Sequence, residues 1–230
     1  MLADYFKKVG SERFIIMVFG NIFLGLGISI FKLSGLGNDA FSGMIMALSD
    51  VTGIVYSSFL ILFNIILFFI EFLTGRKFIG IGTVINALCL GYIVTFFNYV
   101  LKLIFGAPEL MWQRAGIVCI GVVVCCFGAS LYQTSDVGVS PYDSLSLIMT
   151  RRWPRISYFW CRMFTDGLCA LVCYLAGGIV GLGTLLAAFG FGPVIHFFDV
   201  HFTRGLLEWV ELRRAGDIED AALGKVGLSE

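Results

Sequence analysis

Long apolar runs alternate with short polar links along this chain. The apolar runs are 18 to 27 residues long and lie at 14–33, 54–73, 78–104, 116–133, 156–175 and 179–198. About 20 apolar residues are needed to cross the roughly 30 Å hydrocarbon core of a bilayer. The pattern therefore predicts an all-α, polytopic helical membrane protein.

Two polar stretches, which we call the breaks, interrupt this pattern. Residues 135–144 (SDVGVSPYDS) and, 101 residues upstream, residues 34–43 (SGLGNDAFSG) each lead into a short apolar segment. The same offset, held without a gap, pairs Gly20 with Gly121, Gly27 with Gly128, Gly37 with Gly138 and Thr83 with Thr184. Chance rarely keeps such residues in register, so we predict two tandem repeats.

Charged residues mark the limits of these repeats. A cytoplasmic leader at 1–13 precedes repeat 1 at 14–105, a linker at 106–113 follows, repeat 2 spans 114–200, and residues 201–230 form a cytoplasmic tail. The first apolar run exceeds the ~7–15 residues of a signal-peptide core and lacks a small-x-small cleavage site. We therefore interpret it as a retained transmembrane helix.

The short segments at 40–48 and 141–150 decide the architecture. If they cross the membrane, the protein has eight helices in two parallel repeats of four; if they do not, it has six spans in two inverted repeats of three. We favour eight, because a re-entrant tip would place Arg151, Arg152 and Arg155 in hydrocarbon at about 2.5–3.5 kcal/mol per charge. The positive-inside rule fits both arrangements, and both place the termini in the cytoplasm.

Composition excludes several function classes. The chain is 58% hydrophobic and 14% charged, with a mean hydropathy of +0.91, so its main partner is the lipid bilayer. Its net charge is zero and its basic residues lack aromatic interleaving, which argues against nucleic acid. The seven cysteines fall in apolar runs as small hydrophobes, so no metal or cofactor is predicted. No catalytic motif is present, which predicts a protein that is not an enzyme. A homo-oligomer is compatible with the sequence.

The breaks carry the chemistry of helix starts. Ser140-Pro-Tyr142-Asp143 places a cap residue, a proline at the first helical position and an acid three residues after the cap. Asn38 and Asp39 stand at the corresponding place in repeat 1. A helix start presents unpaired N–H groups and the positive end of its dipole. Two such starts facing each other predict a polar cavity for a small anionic or zwitterionic solute, although ordinary surface caps would have the same sequence.

A charged pair lies inside the apolar run at 156–175. Arg162 and Asp166 are four residues apart and so share one helix face, whereas repeat 1 has Ile61 and Ile65 at these places. Ionisable residues within a span usually face a cavity or a partner, so they belong to a site or form a structural pair. The predicted substrate-binding residues are Asn38, Asp39, Ser140, Tyr142, Asp143, Arg162, Asp166, Thr83 and Thr184.

These motifs resemble those of a known family. The pattern G-x-S-x-x-x-x-S-x-x-G-x-x-P-[WY]-D at 128–143, followed by G-x-G-T at 181–184, resembles the YczE-like family of bacterial integral membrane proteins and, more distantly, the YitT membrane family. The resemblance covers residues 13–200 and implies a multi-pass protein of the bacterial inner membrane. Repeat 1 departs from the pattern, with Ala40 for the proline and Ser42 for the aspartate.

The polar breaks and the charged pair predict a small-solute secondary transporter or permease. The alternative, from a different class, is a non-transporting membrane scaffold that regulates a partner complex. The sequence names neither the solute nor the partner.

Overall fold

The computed structural model describes residues 10–37, 39–106, 108–178 and 180–213. Within these ranges the secondary structure is helical, without a strand. The helices are α1 (Ser11–Leu33), α2 (Ala40–Thr52), α3 (Tyr56–Thr74), α4 (Ile81–Phe105), α5 (Met111–Thr134), α6 (Pro141–Arg152), α7 (Tyr158–Leu175) and α8 (Leu182–Phe198). The all-α prediction is confirmed.

Helix length and hydropathy agree with a membrane protein. In the described residues, α1, α4, α5 and the continuous helix Leu182–Arg213 are long and apolar enough to cross a bilayer. α2 and the segment Ser58–Thr74 of α3 are shorter apolar helices. α7 has 18 residues and contains the buried Arg162 and Asp166.

α8 continues beyond Phe198 into the predicted tail. A π-helical turn, Asp199–Thr203, joins it to the helical residues 204–213. Thr203 is buried, and its hydroxyl lies 2.7 Å from that of Ser130 on α5. Arg13 at the start of α1 pairs with Glu211 near the end of this helix. Part of the predicted tail is therefore packed on the helix bundle.

Glycines bring α1 and α5 into direct contact. A β-carbon at any of four glycines would collide with the opposite helix: Gly20 with Tyr132, Gly27 with Cys125, Gly121 with Phe31, and Gly128 with Leu24. Small residues of this kind let membrane helices approach backbone to backbone. Early residues of α1 meet late residues of α5, so the two helices are antiparallel. Adding 101 to the first member of a contact and subtracting 101 from the second gives another contact: 20–132 corresponds to 121–31, and 27–125 to 128–24.

The antiparallel crossing corrects the favoured arrangement. Two parallel repeats of four spans would run α1 and α5, which are 101 residues apart in register, in the same direction. Their glycine contacts show the opposite direction, so the prediction of parallel repeats is wrong. The distribution of lysine and arginine could not reveal this, because both arrangements satisfy the positive-inside rule equally well.

Each half repeats one helix pairing. We call residues 14–105 the first half and residues 114–200 the second half. In the first half Asn86 on α4 donates to Asn21 on α1 at 2.7 Å, and Ser29 donates to the Val94 carbonyl at 2.9 Å, so α1 and α4 are parallel. In the second half Thr134 on α5 donates to Asp199 at the end of α8 at 2.8 Å.

The two short helices point the same way as the long helices that precede them. Gly43 of α2 lies against Cys173, and Ala47 lies against Gly178, so α2 points the same way as α7. α7 in turn is antiparallel to α8 and therefore parallel to α1. α1 and α2 therefore point the same way, with only the break between them. The same relation holds for α5 and α6, and the first turns of both short helices are buried in the bundle.

The orientation of α6 bears on the argument against a re-entrant tip, which assumed that the arginine cluster forms the innermost point of the segment. Arg151 and Arg152 instead lie exposed in the last turn of α6, and the buried end of this helix is its first turn, residues 141–144.

Candidate functional site

Each break is anchored by the opposite half of the molecule. The Leu36 carbonyl accepts a hydrogen bond from the Gly183 N–H at 3.0 Å, and the Val137 carbonyl accepts one from the Gly82 N–H at 3.0 Å. These two bonds are related by the 101-residue offset with the halves exchanged. They hold the first break on the start of α8 and the second break on the start of α4.

The backbone of the breaks requires glycine at one position. Gly37 and Gly138 have φ values of 125° and 128°, a region that L side chains rarely adopt. A β-carbon at Gly138 would also meet the backbone of Gly80 and Thr83. Both breaks therefore have the same backbone shape for the same steric reason.

The starts of α2 and α6 are capped by their own side chains. Asp39 accepts from the Ser42 N–H at 3.0 Å. Ser140 accepts from the Asp143 N–H at 3.3 Å, and its hydroxyl donates to the Asp143 carboxylate at 2.9 Å. The predicted caps are confirmed, and each places an acidic group at the positive end of a helix dipole.

The two helix starts meet at the centre of the bundle. The rings of Phe41 and Tyr142 stack with their centroids 4.3 Å apart and their planes 22° apart. These residues are 101 positions apart, so the stack lies where the two halves are related to each other. The predicted juxtaposition of the helix starts is thus present in the structure.

A buried ionic cluster adjoins this stack. Arg162 Nη1 contacts the Asp143 carboxylate, and Arg162 Nε lies 3.0 Å from Asp166 Oδ2. The Tyr142 hydroxyl donates to the other oxygen of Asp166, and the Arg162 guanidinium lies 5.1 Å from the Tyr142 ring centroid. Asp143, Arg162 and Asp166 are 9%, 6% and 3% exposed. We call Tyr142, Asp143, Arg162 and Asp166 the central cluster.

The central cluster has more acid than base. One guanidinium faces two carboxylates, so the three charged groups carry a formal charge of −1 when all are ionised. Taking such charges out of water costs several kcal/mol per ion, and paired geometry only offsets that cost. A group of charges buried at this cost in an apolar bundle is a candidate functional site.

The structure brings together five of the predicted site residues, namely Ser140 and the central cluster. Asp39 caps the neighbouring helix start. Thr83 lies at the second break, where its hydroxyl accepts from the Gly80 N–H at 3.1 Å. Thr184 is fully buried against Gly37 of the first break. Both threonines thus brace the breaks, and Asn38 lies outside the described residues.

Sequence reasoning missed Glu71 on α3. It is the acid within the apolar run at 54–73, and its side chain is 0% exposed. The rule that picked out Arg162 and Asp166, an ionisable residue inside a span, applies to it equally. It was overlooked because it has no oppositely charged residue at helical spacing within its own run.

Comparison with known proteins identifies the family. The family of unknown function DUF6198 matches residues 11–200. The chain belongs to this family. Similar proteins include an uncharacterized protein of Haemophilus influenzae, 30% identical over 185 residues that cover 80% of this chain and 81% of the relative.

Two relatives come from Bacillus subtilis. The uncharacterized protein YyaS is 29% identical over 78% of this chain and 88% of its own length. The uncharacterized membrane protein YczE is 25% identical over 77% of this chain and 81% of its own length. The YczE-like resemblance is therefore confirmed, and with it the membrane-protein class. No solved structure matches the chain.

Proposed function

We propose that this protein is a small-solute secondary transporter whose substrate site is the central cluster at the joined starts of α2 and α6. The observation that carries the proposal is the buried arrangement of Asp143, Arg162 and Asp166 beside the Phe41–Tyr142 stack. Transporters built from repeats place their sites at interrupted helices near the repeat interface, where helix ends meet polar side chains.

The proposed architecture is a tandem duplication with inverted halves. Six helices, α1, α3, α4, α5, α7 and α8, would span the bilayer, and α2 and α6 would enter it partway. Support comes from the antiparallel glycine contacts of α1 with α5 and from the exchanged hydrogen bonds of the two breaks. We place the protein in the bacterial inner membrane with both termini in the cytoplasm, since Arg76, Lys77, Arg151 and Arg152 would then face the cytoplasm.

A reporter cysteine tests this topology. Glu109 is exposed between α4 and α5, which puts it outside the cell in the six-span arrangement and inside in the eight-span one. With the native thiols removed, Glu109→Cys should react with an impermeant reagent added to intact cells. A cysteine at Arg76, the matched position after α3, should be protected. Protection of both, or labelling of Arg76→Cys alone, would contradict the inverted arrangement.

A zwitterionic solute fits the site better than an anionic one. The N-termini of α2 and α6 already hold Asp39 and Asp143, so their positive ends are occupied by acids of the protein itself. Arg162 is available to a solute carboxylate in exchange for one of its two partners, and the carboxylate released would then accept an ammonium group. A solute with both charges satisfies every group, whereas an anion leaves a buried carboxylate unpaired.

Exchange of partners also provides a transport step. When the solute carboxylate pairs with Arg162, the guanidinium no longer links Asp143 on α6 to Asp166 on α7. The contact between the re-entrant helix and the spanning helix then depends on the solute. Rocking of one half against the other around a central site is the usual motion of transporters with repeats.

A ligand-induced thermal-shift screen tests the proposed site. Purified protein would be screened against small anions, amino acids and small organic cations. We expect zwitterions to raise the unfolding temperature of the wild type and not of Asp143→Asn. Asp199→Asn is the matched control, because Asp199 pairs with Arg204 at 3.0 Å outside the central cluster. It should keep the full shift.

Two outcomes would oppose the proposal. The non-transporting scaffold becomes the better account if two results occur together. No compound raises the unfolding temperature of the wild type, and cells whose growth depends on this gene grow normally with Asp143→Asn. If anions alone give shifts, the transporter class stands and the zwitterion assignment is wrong.

A further inference from the structure

Glu71 is a buried carboxyl group that the proposed substrate site does not use. Its side chain is 0% exposed, and neither carboxylate oxygen has a hydrogen-bond partner among the described residues. Buried polar groups are nearly always paired, so an orphaned buried carboxyl calls for a specific explanation. An ionised carboxylate without a partner is far more costly to bury than the neutral acid.

The position of Glu71 links it to the central cluster. On α3, Leu67, Glu71 and Gly75 are buried at intervals of four residues, while most of the helix surface between them is exposed. This narrow face packs on α6, where a β-carbon at Gly75 would meet the Ile148 side chain. Ser144 and Asp143 face the carboxyl group from the same helix. Asp143 therefore contacts Arg162 and also acts electrostatically on Glu71.

Among the described residues, no cation pairs with Glu71. The Ser144 hydroxyl donates to the Pro141 carbonyl at 2.9 Å, so its proton is already in use. α2 contributes Asp50, which is exposed, and the turn after α3 contributes Arg76 and Lys77, both exposed. Arg76 is turned onto its own helix, donating to the Phe72 carbonyl at 3.0 Å. The ionisable group that faces Glu71 most closely is thus another acid, Asp143.

We propose that Glu71 is the proton-coupling residue of this protein, binding one proton from solution as a neutral carboxylic acid beside the Asp143 side of the central cluster. The assignment rests on the proposed transport function. Protonation converts the carboxylate and one proton into the acid, with no other reactant. When Glu71 loses that proton, its negative charge repels that of Asp143. This repulsion weakens the place of Asp143 in the central cluster, where two carboxylates already face one guanidinium. Proton binding and solute binding are then coupled through α6.

A proton fits this place better than a metal cation. Na⁺ and divalent cations need several oxygen ligands at once, whereas neither Glu71 carboxylate oxygen makes a hydrogen bond with a described residue. The described residues also contain no cluster of three or more His, Cys, Asp or Glu side chains suited to a metal.

Infrared spectroscopy of the purified full-length protein tests the proton site without any solute. At neutral pH the wild type should show the absorption of a protonated carboxyl group, and Glu71→Gln should remove it. Glu208→Gln is the matched control, since Glu208 is exposed. If Glu71→Gln proves unstable, Glu71→Val serves instead, because the second half has Val172 at this position.

The outcomes separate this inference from the proposed function. Absence of the absorption in the wild type, its persistence in both Glu71 variants, or its loss when Na⁺ replaces choline in the buffer would overturn the proton assignment. In proteoliposomes, Glu71→Gln should retain solute exchange and lose accumulation driven by a proton gradient. Exchange without the infrared signal would refute only the proton site, and the signal without any exchange would refute only the transport function.

Discussion

The two halves of this molecule share a backbone framework but not a chemistry. Leu36 and Val137 make equivalent hydrogen bonds to the opposite half, and Phe41 stacks on Tyr142, its counterpart 101 residues later. The positions of Arg162 and Asp166 are occupied in the first half by Ile61 and Ile65, which are 61% and 60% exposed. The comparison indicates that symmetry builds the breaks, whereas the ionic site is a feature of the second half alone.

A packing difference accompanies this chemical one. α7 packs along α8, but among the described residues α3 makes no comparable contact with α4. α3 instead packs against α6 through the narrow buried face that contains Glu71. The first half thus contributes one acid to the surroundings of the site, and the second half contributes the charged cluster.

Removing the central charge should have the largest effect. Arg162→Ile leaves Asp143 and Asp166 buried without a cation, and breaking a buried ion pair in this way costs about 3–5 kcal/mol. Ile61→Val, at the corresponding exposed position, should change stability little. Thermal unfolding in detergent measures both. Equal effects in the two halves would mean that the second-half cluster is not buried as described.

Giving the second half the residues of the first should recover most of that loss. The triple variant Asp143→Ser, Arg162→Ile and Asp166→Ile introduces the residues found at 42, 61 and 65. Replacing a whole buried ionic group by apolar residues is often neutral or stabilising by about 1–4 kcal/mol. The triple variant should therefore unfold at a higher temperature than Arg162→Ile. A lower temperature would show that the charges are needed for folding.

The shared framework should respond equally in both halves. Gly27→Ala and Gly128→Ala each place a methyl group against the opposite helix, and overpacking of this kind costs about 1–3 kcal/mol. Gly116→Ala, also on α5, has open space around its β-carbon and serves as the control. Clearly unequal losses for Gly27 and Gly128, measured by thermal unfolding, would contradict the two-fold relation of α1 and α5.

The helix caps should give the smallest effect. Asn caps a helix about as well as Asp, so Asp39→Asn should cost only a few tenths of a kcal/mol. Asp143→Asn should cost more, because it also removes one partner of Arg162. Chemical denaturation of the two variants compares them. Equal costs would mean that Asp143 acts only as a cap.

Much of the candidate site follows from local sequence signals. Ser140-Pro-Tyr142-Asp143 predicts a helix start because capping depends on residues three positions apart, and Arg162 and Asp166 predict a pair because they share a helix face. The contact of Arg162 with Asp143 joins α7 to α6, so no spacing along the chain indicates it. Glu71 could have been found as an ionisable residue inside a span, but its relation to Asp143 joins α3 to α6 and no spacing along the chain indicates it.

The relative direction of the two halves could not be predicted from the repeat pattern in the sequence. The register of glycines indicates a duplication but is the same for parallel and inverted copies. The direction depends on whether α2 and α6 cross the bundle, and helices of 13 and 12 residues are too short to decide this by length. Only the residues that the α1 and α5 glycines contact show that the helices are antiparallel.

Solute exchange in proteoliposomes tests the central claim most directly. Vesicles containing the wild type would be loaded with unlabelled amino acids and exposed to a labelled mixture, beside vesicles with the triple variant and vesicles without protein. We predict exchange by the wild type, and background exchange by the triple variant although it is folded. Background exchange by a folded wild type, or equal exchange by the wild type and the triple variant, would contradict the account.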